Sequence, residues 1–237
     1  MFILCIKPIC ASAQYAPDAS VDLGIGFGQM ALGQSAISGT RAIGVTGERA
    51  FHTTEEDPTS EPVTGSLNFT STPAVTEMVN RRIALWQSED HPAMRTDIEE
   101  DIQSGRLQRY FADILHQYHY DSSNLADIST AFCISLWKII HGRDMTPRQI
   151  LSVRDQMRAF MVEDAELMQL SDSEKQGIGE TFMLHSALAL QGYEHRLQVR
   201  DTKALALFRK GLQINLAPQG PDISTLEVSN EGFLMRQ

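Results

Sequence analysis

From Thr72-Pro73 to the end of the chain, apolar residues recur at steps of three and four, and residues that start or stop helices bracket each run. This constrains the chain more than any other feature, because it commits the segment to helices that bury one face against one another. Thr72 suits a helix N-cap and Pro73 its first position. The stripe that follows is Val75, Met78, Val79, Ile83 and Trp86. A second helical stretch, with Ser104-Gly105 as its break point, runs to about Tyr118 and places Leu107, Phe111, Ile114, Leu115 and Tyr118 on one face. Asn124 can then cap a helix bearing Leu125, Ile128, Phe132, Leu136, Ile139 and Ile140, widened by Cys133 and Trp137 and stopped at Gly142. This is the expected central core helix.

Two capping boxes follow. Thr146-Pro147-Arg148-Gln149 opens a helix with Ile150, Val153, Met157, Phe160 and Met161 inward, and Ser171-Asp172-Ser173-Glu174 opens a long one through Phe182, Leu190, Tyr193 and Leu197. Asp201 caps a last helix with Leu205, Phe208, Leu212 and Leu216, ended by Pro218-Gln219-Gly220-Pro221. Leu226-Glu227-Val228 to Gly232-Phe233-Leu234 reads as a short extended piece closing over the helices. The expected fold is all-α: an irregular bundle of about five or six helices over residues 73–237.

Before that domain the pattern changes. Residues 14–72 are rich in Gly, Ser, Thr, Ala and Pro, carry the acidic Glu55, Glu56, Asp57 and Glu61, and show no sustained hydrophobic period, so they read as a linker or loosely ordered arm. Gly24-Ile25-Gly26-Phe27-Gly28 lacks the preceding strand and following acidic residue that a dinucleotide loop needs, and reads as tether. Asn68-Phe69-Thr70 is a formal glycosylation sequon, which matters only in a eukaryotic secretory pathway. Residues 1–13 end in Ala11-Ser12-Ala13, the small-x-small pattern a signal peptidase accepts, which predicts a mature chain starting at Gln14. The apolar run ahead of Lys7 is short for such a leader and no cationic segment precedes it, so either the true start codon lies upstream or the likeness to a leader is accidental. Cys5 and Cys10 would leave with it, and Cys133 would remain as a small buried hydrophobe.

Charge and apolar content narrow the partners. A net charge of −10 offers no dense cationic surface, which argues against nucleic acid and against an anionic membrane. No run approaches the roughly 20 apolar residues of a membrane span. The expected location is periplasmic or secreted, and the expected partner another envelope or secreted protein.

Few residues suggest chemistry. Asp113, His116 and His119 form the best metal candidate, since His-x-x-His on a helix stacks imidazoles on neighbouring turns, but their polar neighbours read as a solvated face. Glu180, His185, Glu194 and His195 could act as acids and bases, but five residues of helix turn Glu180 and His185 about 140° apart. His141, at a helix C-terminus, is explained by the helix dipole. Ser171 and Ser173 precede Lys175, and capping explains them better than catalysis. Arg148, Arg154 and Arg158 read as a solvated face or a set of surface ion pairs. Cys133 has no base beside it. No catalytic residue, cofactor or metal site is assigned from the sequence.

Asn124-Leu125-Ala126-Asp127, Trp137, Arg154-Asp155-Gln156, Leu170 through Gln176 with Glu180, and the terminal Gly232-Phe233 together resemble a bacterial family of exported, mostly helical proteins catalogued only as a domain of unknown function. The resemblance covers about residues 73–237 and implies bacterial origin, export and an all-α fold, with no catalytic residues. The expected role is a non-catalytic binding or structural module. The alternative is an envelope metal-binding protein or metal-dependent hydrolase using Asp113, His116 and His119.

Overall fold

The computed structural model describes residues 66–89, 95–216 and 223–235. Seven helices and one four-residue helical turn follow in order: α1 (Pro73–Glu89), α2 (Arg95–Gln103), α3 (Arg106–Gln117), α4 (Leu125–His141), α5 (Pro147–Glu163), the turn α6 (Ala165–Met168), α7 (Asp172–Gln198) and α8 (Thr202–Leu216). A 3₁₀ turn (Ile223–Thr225) leads into an antiparallel hairpin of β1 (Leu226–Ser229) and β2 (Gly232–Met235), with Leu226 opposite Met235 and Ser229 opposite Gly232. The all-α expectation holds, with the C-terminal extended piece present as this hairpin. Gly105 divides the second helical stretch because its φ of 69° lies in the left-handed region that glycine tolerates best.

Helix α4 is the centre of the bundle. Every residue in it except Lys138 and His141 is buried, as expected of a helix apolar on all sides. The Asn124 side chain accepts from the Asp127 amide to start the helix, and Gly142 in left-handed conformation ends it. Beside it runs α7, which also packs against α1, α3 and α8. The α4–α7 contact is close: Phe132 and Phe182 stack with centroids 4.5 Å apart, and a Cβ on Gly179 would come within 2.9 Å of the Ile128 side chain. Both expected capping boxes form, at Thr146/Gln149 and Ser171/Glu174. Asp201 accepts from the Ala204 amide to open α8, as the sequence suggests.

Three details differ from the sequence expectation. Thr72 does not cap α1 with its hydroxyl, because that group faces Gln176. Phe160 is 54% exposed, since α5 buries the row Val153, Met157 and Met161 and Phe160 lies about 100° around from Met161. Leu197, near the end of α7, is 46% exposed. The leader, the two cysteines in it, residues 14–65 including Gly24 to Gly28, and the side chains of Trp86 and Leu216 lie outside the described residues.

Candidate functional site

Residues 66–72 form a strap laid across the N-terminal ends of α4 and α7. Its alternation decides its seating: Leu67 and Phe69 are buried, whereas Ser66, Asn68 and Thr70 face outward. On the α4 side, the Leu125 amide donates to Leu67 O (2.8 Å), the Phe69 amide to Ser123 O (2.9 Å), and Asn124 Nδ2 to Asn68 Oδ1 (2.5 Å). On the α7 side, the Thr70 amide donates to Asp172 Oδ2 (2.9 Å) and the Thr72 amide to Gln176 Oε1 (2.8 Å). Gln176 Nε2 returns a bond to Thr72 O (2.9 Å), so one side-chain amide grips both backbone groups of Thr72. Gln176 is fully buried.

This grip continues along α1 as a polar seam. Thr76 Oγ1 donates to Glu180 Oε1 (2.7 Å), which also accepts from Gln176 Nε2 (2.8 Å), and one turn further Asn80 Oδ1 accepts from Gln108 Nε2 of α3 (2.6 Å). Burial pushes the Glu180 carboxyl above the usual carboxylate range, and the bonds from Gln176 and Thr76 pull it back part of the way. An open cleft of about 750 Å³ flanks the seam, lined by residues including Ser71, Thr76, Glu77, Asn80, Arg81 and Gln103. Hydroxyls and amides of this kind can hydrogen-bond a polar ligand.

The ionisable residues singled out from the sequence go to separate places. Asp113 and His116 are exposed on α3, but that helix ends at Gln117, and His119 lies beyond it, exposed, at φ 56°. The His-x-x-His spacing therefore does not stack the two imidazoles on one helix face. Among the described residues no three His, Cys, Asp or Glu side chains converge on a point that could hold a metal ion. Glu194 instead accepts from Tyr110 Oη (2.9 Å), an interaction that, after burial, raises the Tyr110 pKa. His195 is half-buried on the last turns of α7. His185 is fully buried, and desolvation pulls it down to about 4 against a partly offsetting hydrogen bond with the Thr181 backbone. The Cys133 thiol is pushed up to about 12 by burial, so it is no nucleophile at neutral pH. Ser171 serves as the α7 cap, Ser173 lies in the first turn of that helix, and Lys175 is 5% exposed.

Two arrangements escaped the sequence reading. Arg154 and Arg158, expected on a solvated face or in surface ion pairs, converge instead on a buried partner, Asp127, which is 1% exposed. Arg154 donates from Nε to Oδ1 (2.7 Å) and from Nη2 to Oδ2 (2.5 Å), Arg158 Nη2 lies 3.4 Å from Oδ1, and the Asp121 amide donates to Oδ2 (2.9 Å). The Arg154 guanidinium also sits 4.7 Å from the centre of the Tyr120 ring. Arg148 remains exposed.

The second arrangement is the dock of the hairpin on α4 and α5. Trp137 Nε1 donates to Leu226 O (3.0 Å), and His141, stacked on Trp137, places Nε2 3.0 Å from Ile223 O. Gln149 Nε2 donates to Val228 O (3.2 Å) and Ser152 Oγ to Asn230 O (2.6 Å). Gln156 takes both backbone groups of Phe233, donating to its O (3.0 Å) and accepting from its N–H (2.8 Å). The spacing of Gln149, Ser152 and Gln156, three then four residues along one helix face, was the available signal for this contact.

The family model described as a family of unknown function (DUF6683) matches residues 47–236. No curated protein and no solved structure matches. Among the described residues, no helix is long and apolar enough to cross a membrane.

Proposed function

We propose, for a chain that belongs to the family of unknown function DUF6683, that it works as a non-catalytic binding or structural module, exported by a bacterium and acting in the periplasm or outside the cell. One observation carries this reading: the polar residues that stand out in the sequence are occupied in holding the chain to itself. Ser171, Asp172, Glu174, Gln176 and Glu180 cap α7 and grip the strap and α1. Asn124 and Asp127 anchor the strap and α5, and Gln156 fixes Gly232-Phe233. A catalytic group has to keep its reactive atoms available to a substrate, whereas these side chains, Glu180 Oε2 apart, are committed to backbone and side-chain partners within the fold. These contacts tie the strap and the hairpin to the helical body.

Affinity capture from a bacterial envelope extract, with the chain starting at Gln14 as bait, tests this proposal. A specific protein partner retained by the wild-type chain is the expected result. Purified protein that carries stoichiometric zinc, lost in a His116→Ala/His119→Ala variant, would overturn it in favour of a metal-dependent role. N-terminal sequencing of the secreted or periplasmic product checks export, and should begin at Gln14.

A further inference from the structure

The polar seam between α1, α3 and α7 contains two buried acceptor oxygens that meet no donor in the structure: Glu180 Oε2 and Gln108 Oε1. They belong to neighbouring turns of the same seam, because their side chains bond Thr76 and Asn80, one helical turn apart on α1. Both oxygens are buried within the seam. A bare carboxylate oxygen in such a place costs the desolvation of the charge. A proton on the carboxyl group itself supplies the missing donor.

We propose that a proton held on Glu180 closes a latch between the strap of residues 66–72 and the helical body, and that the latch loosens as the proton leaves. As a neutral acid, Glu180 can donate from Oε2 toward the seam while Oε1 continues to accept from Thr76 and Gln176. Gln176 is the side chain that also grips Thr72, so the state of Glu180 is felt at the first residue before α1. Once ionised, the group carries a buried charge with one oxygen unserved, and its relief is to let water reach the seam by parting α1 from α7.

The charges around it do not alter this. On α1, Glu77 and Arg81 pair with each other at the surface, and Arg82 is exposed. On α3, Arg106 pairs with Asp101, Arg109 donates to Ser104 O, and Tyr110 bonds Glu194. On α4, Asp127 is held by Arg154, and on α8 Arg209 donates to Ile139 O, with Lys203 and Lys210 on the same helix. Lys175 and His185 share α7 with Glu180. Burial and the two hydrogen bonds are what act on the Glu180 carboxyl, and burial dominates.

The sign of the effect follows. The unfolded chain loses this proton near the ordinary glutamate pH and the folded one only higher, so stability is fully present below the first and declines as pH rises through the second. Each unit of separation lowers the folding equilibrium constant about tenfold.

Carboxyl-carbon NMR of the full chain tests the proposal directly: one glutamate resonance, absent in Glu180→Gln, should titrate above all exposed glutamates. Exchange of the Thr72 amide, corrected for base catalysis, should speed up with pH in the wild type and stay flat in Glu180→Gln, where the seam keeps a neutral donor. The wild-type titration stands alone if the variant fails to fold. A Glu180 that titrates with the exposed glutamates would overturn the latch, since Gln108 would then be turning its amide donor toward it. Thr72 exchange with the same pH dependence in both proteins would overturn it equally.

Discussion

Asp127 is a buried carboxylate on which two arginines from another helix converge. It is buried, it accepts from two arginines and one backbone amide, and it stands in the first turn of α4, where the helix dipole favours a negative charge. Removing Arg154 leaves that carboxylate in a low-dielectric site with only the Asp121 amide and the weaker contact to Arg158. Arg154→Ala is expected to lower unfolding free energy by about 3 kcal/mol, read from urea denaturation, and Asp127→Asn in the same background should restore part of the loss. The sequence showed the three arginines on α5 but not their target, because the target lies on another helix and pairing between helices leaves no periodic trace. Asp113, His116 and His119 illustrate the opposite case. Their spacing was visible, but the helix ends one turn too early to align them.

Among the elements, helices were readable from local signals and the hairpin was readable only as an extended tail. The capping boxes at Thr146 and Ser171, the Asn124 cap and the Gly142 stop act within a few residues, so sequence alone locates them. The dock of the hairpin depends on contacts that span more than seventy residues, between Gln156 and Phe233 for example. Its backbone geometry is exacting: Gly232 has φ 113°, and a Cβ there would stand 2.6 Å from Gln156 Oε1. Gly232→Ala should therefore cost roughly 2 kcal/mol through backbone strain and the displaced Gln156, visible as a lower thermal midpoint. The strap could not be foreseen as part of the domain, because residues 66–72 share the polar composition of the arm, and only the in-out alternation at Leu67 and Phe69 hinted otherwise.

For the molecule as a whole, two buried groups on α7 pull stability in opposite directions as pH changes. His185 is neutral in the folded state down to about 4, whereas in the unfolded chain it takes up a proton near 6.5. Its contribution is fully present above that higher value and is lost as pH falls from 6.5 toward 4, by roughly 3 kcal/mol in total. Urea midpoints measured between pH 7 and pH 4 should fall for the wild type more steeply than for a His185→Gln variant. The strap has a mechanical consequence as well. Because residues 66–72 are fastened to the starts of two core helices, a pull applied at Ser66 would meet the bonds at Leu67, Phe69, Thr70 and Thr72 before it reached α1. The strap thus shields the first turn of α1 from being peeled away, as a strain-relief fitting shields a cable.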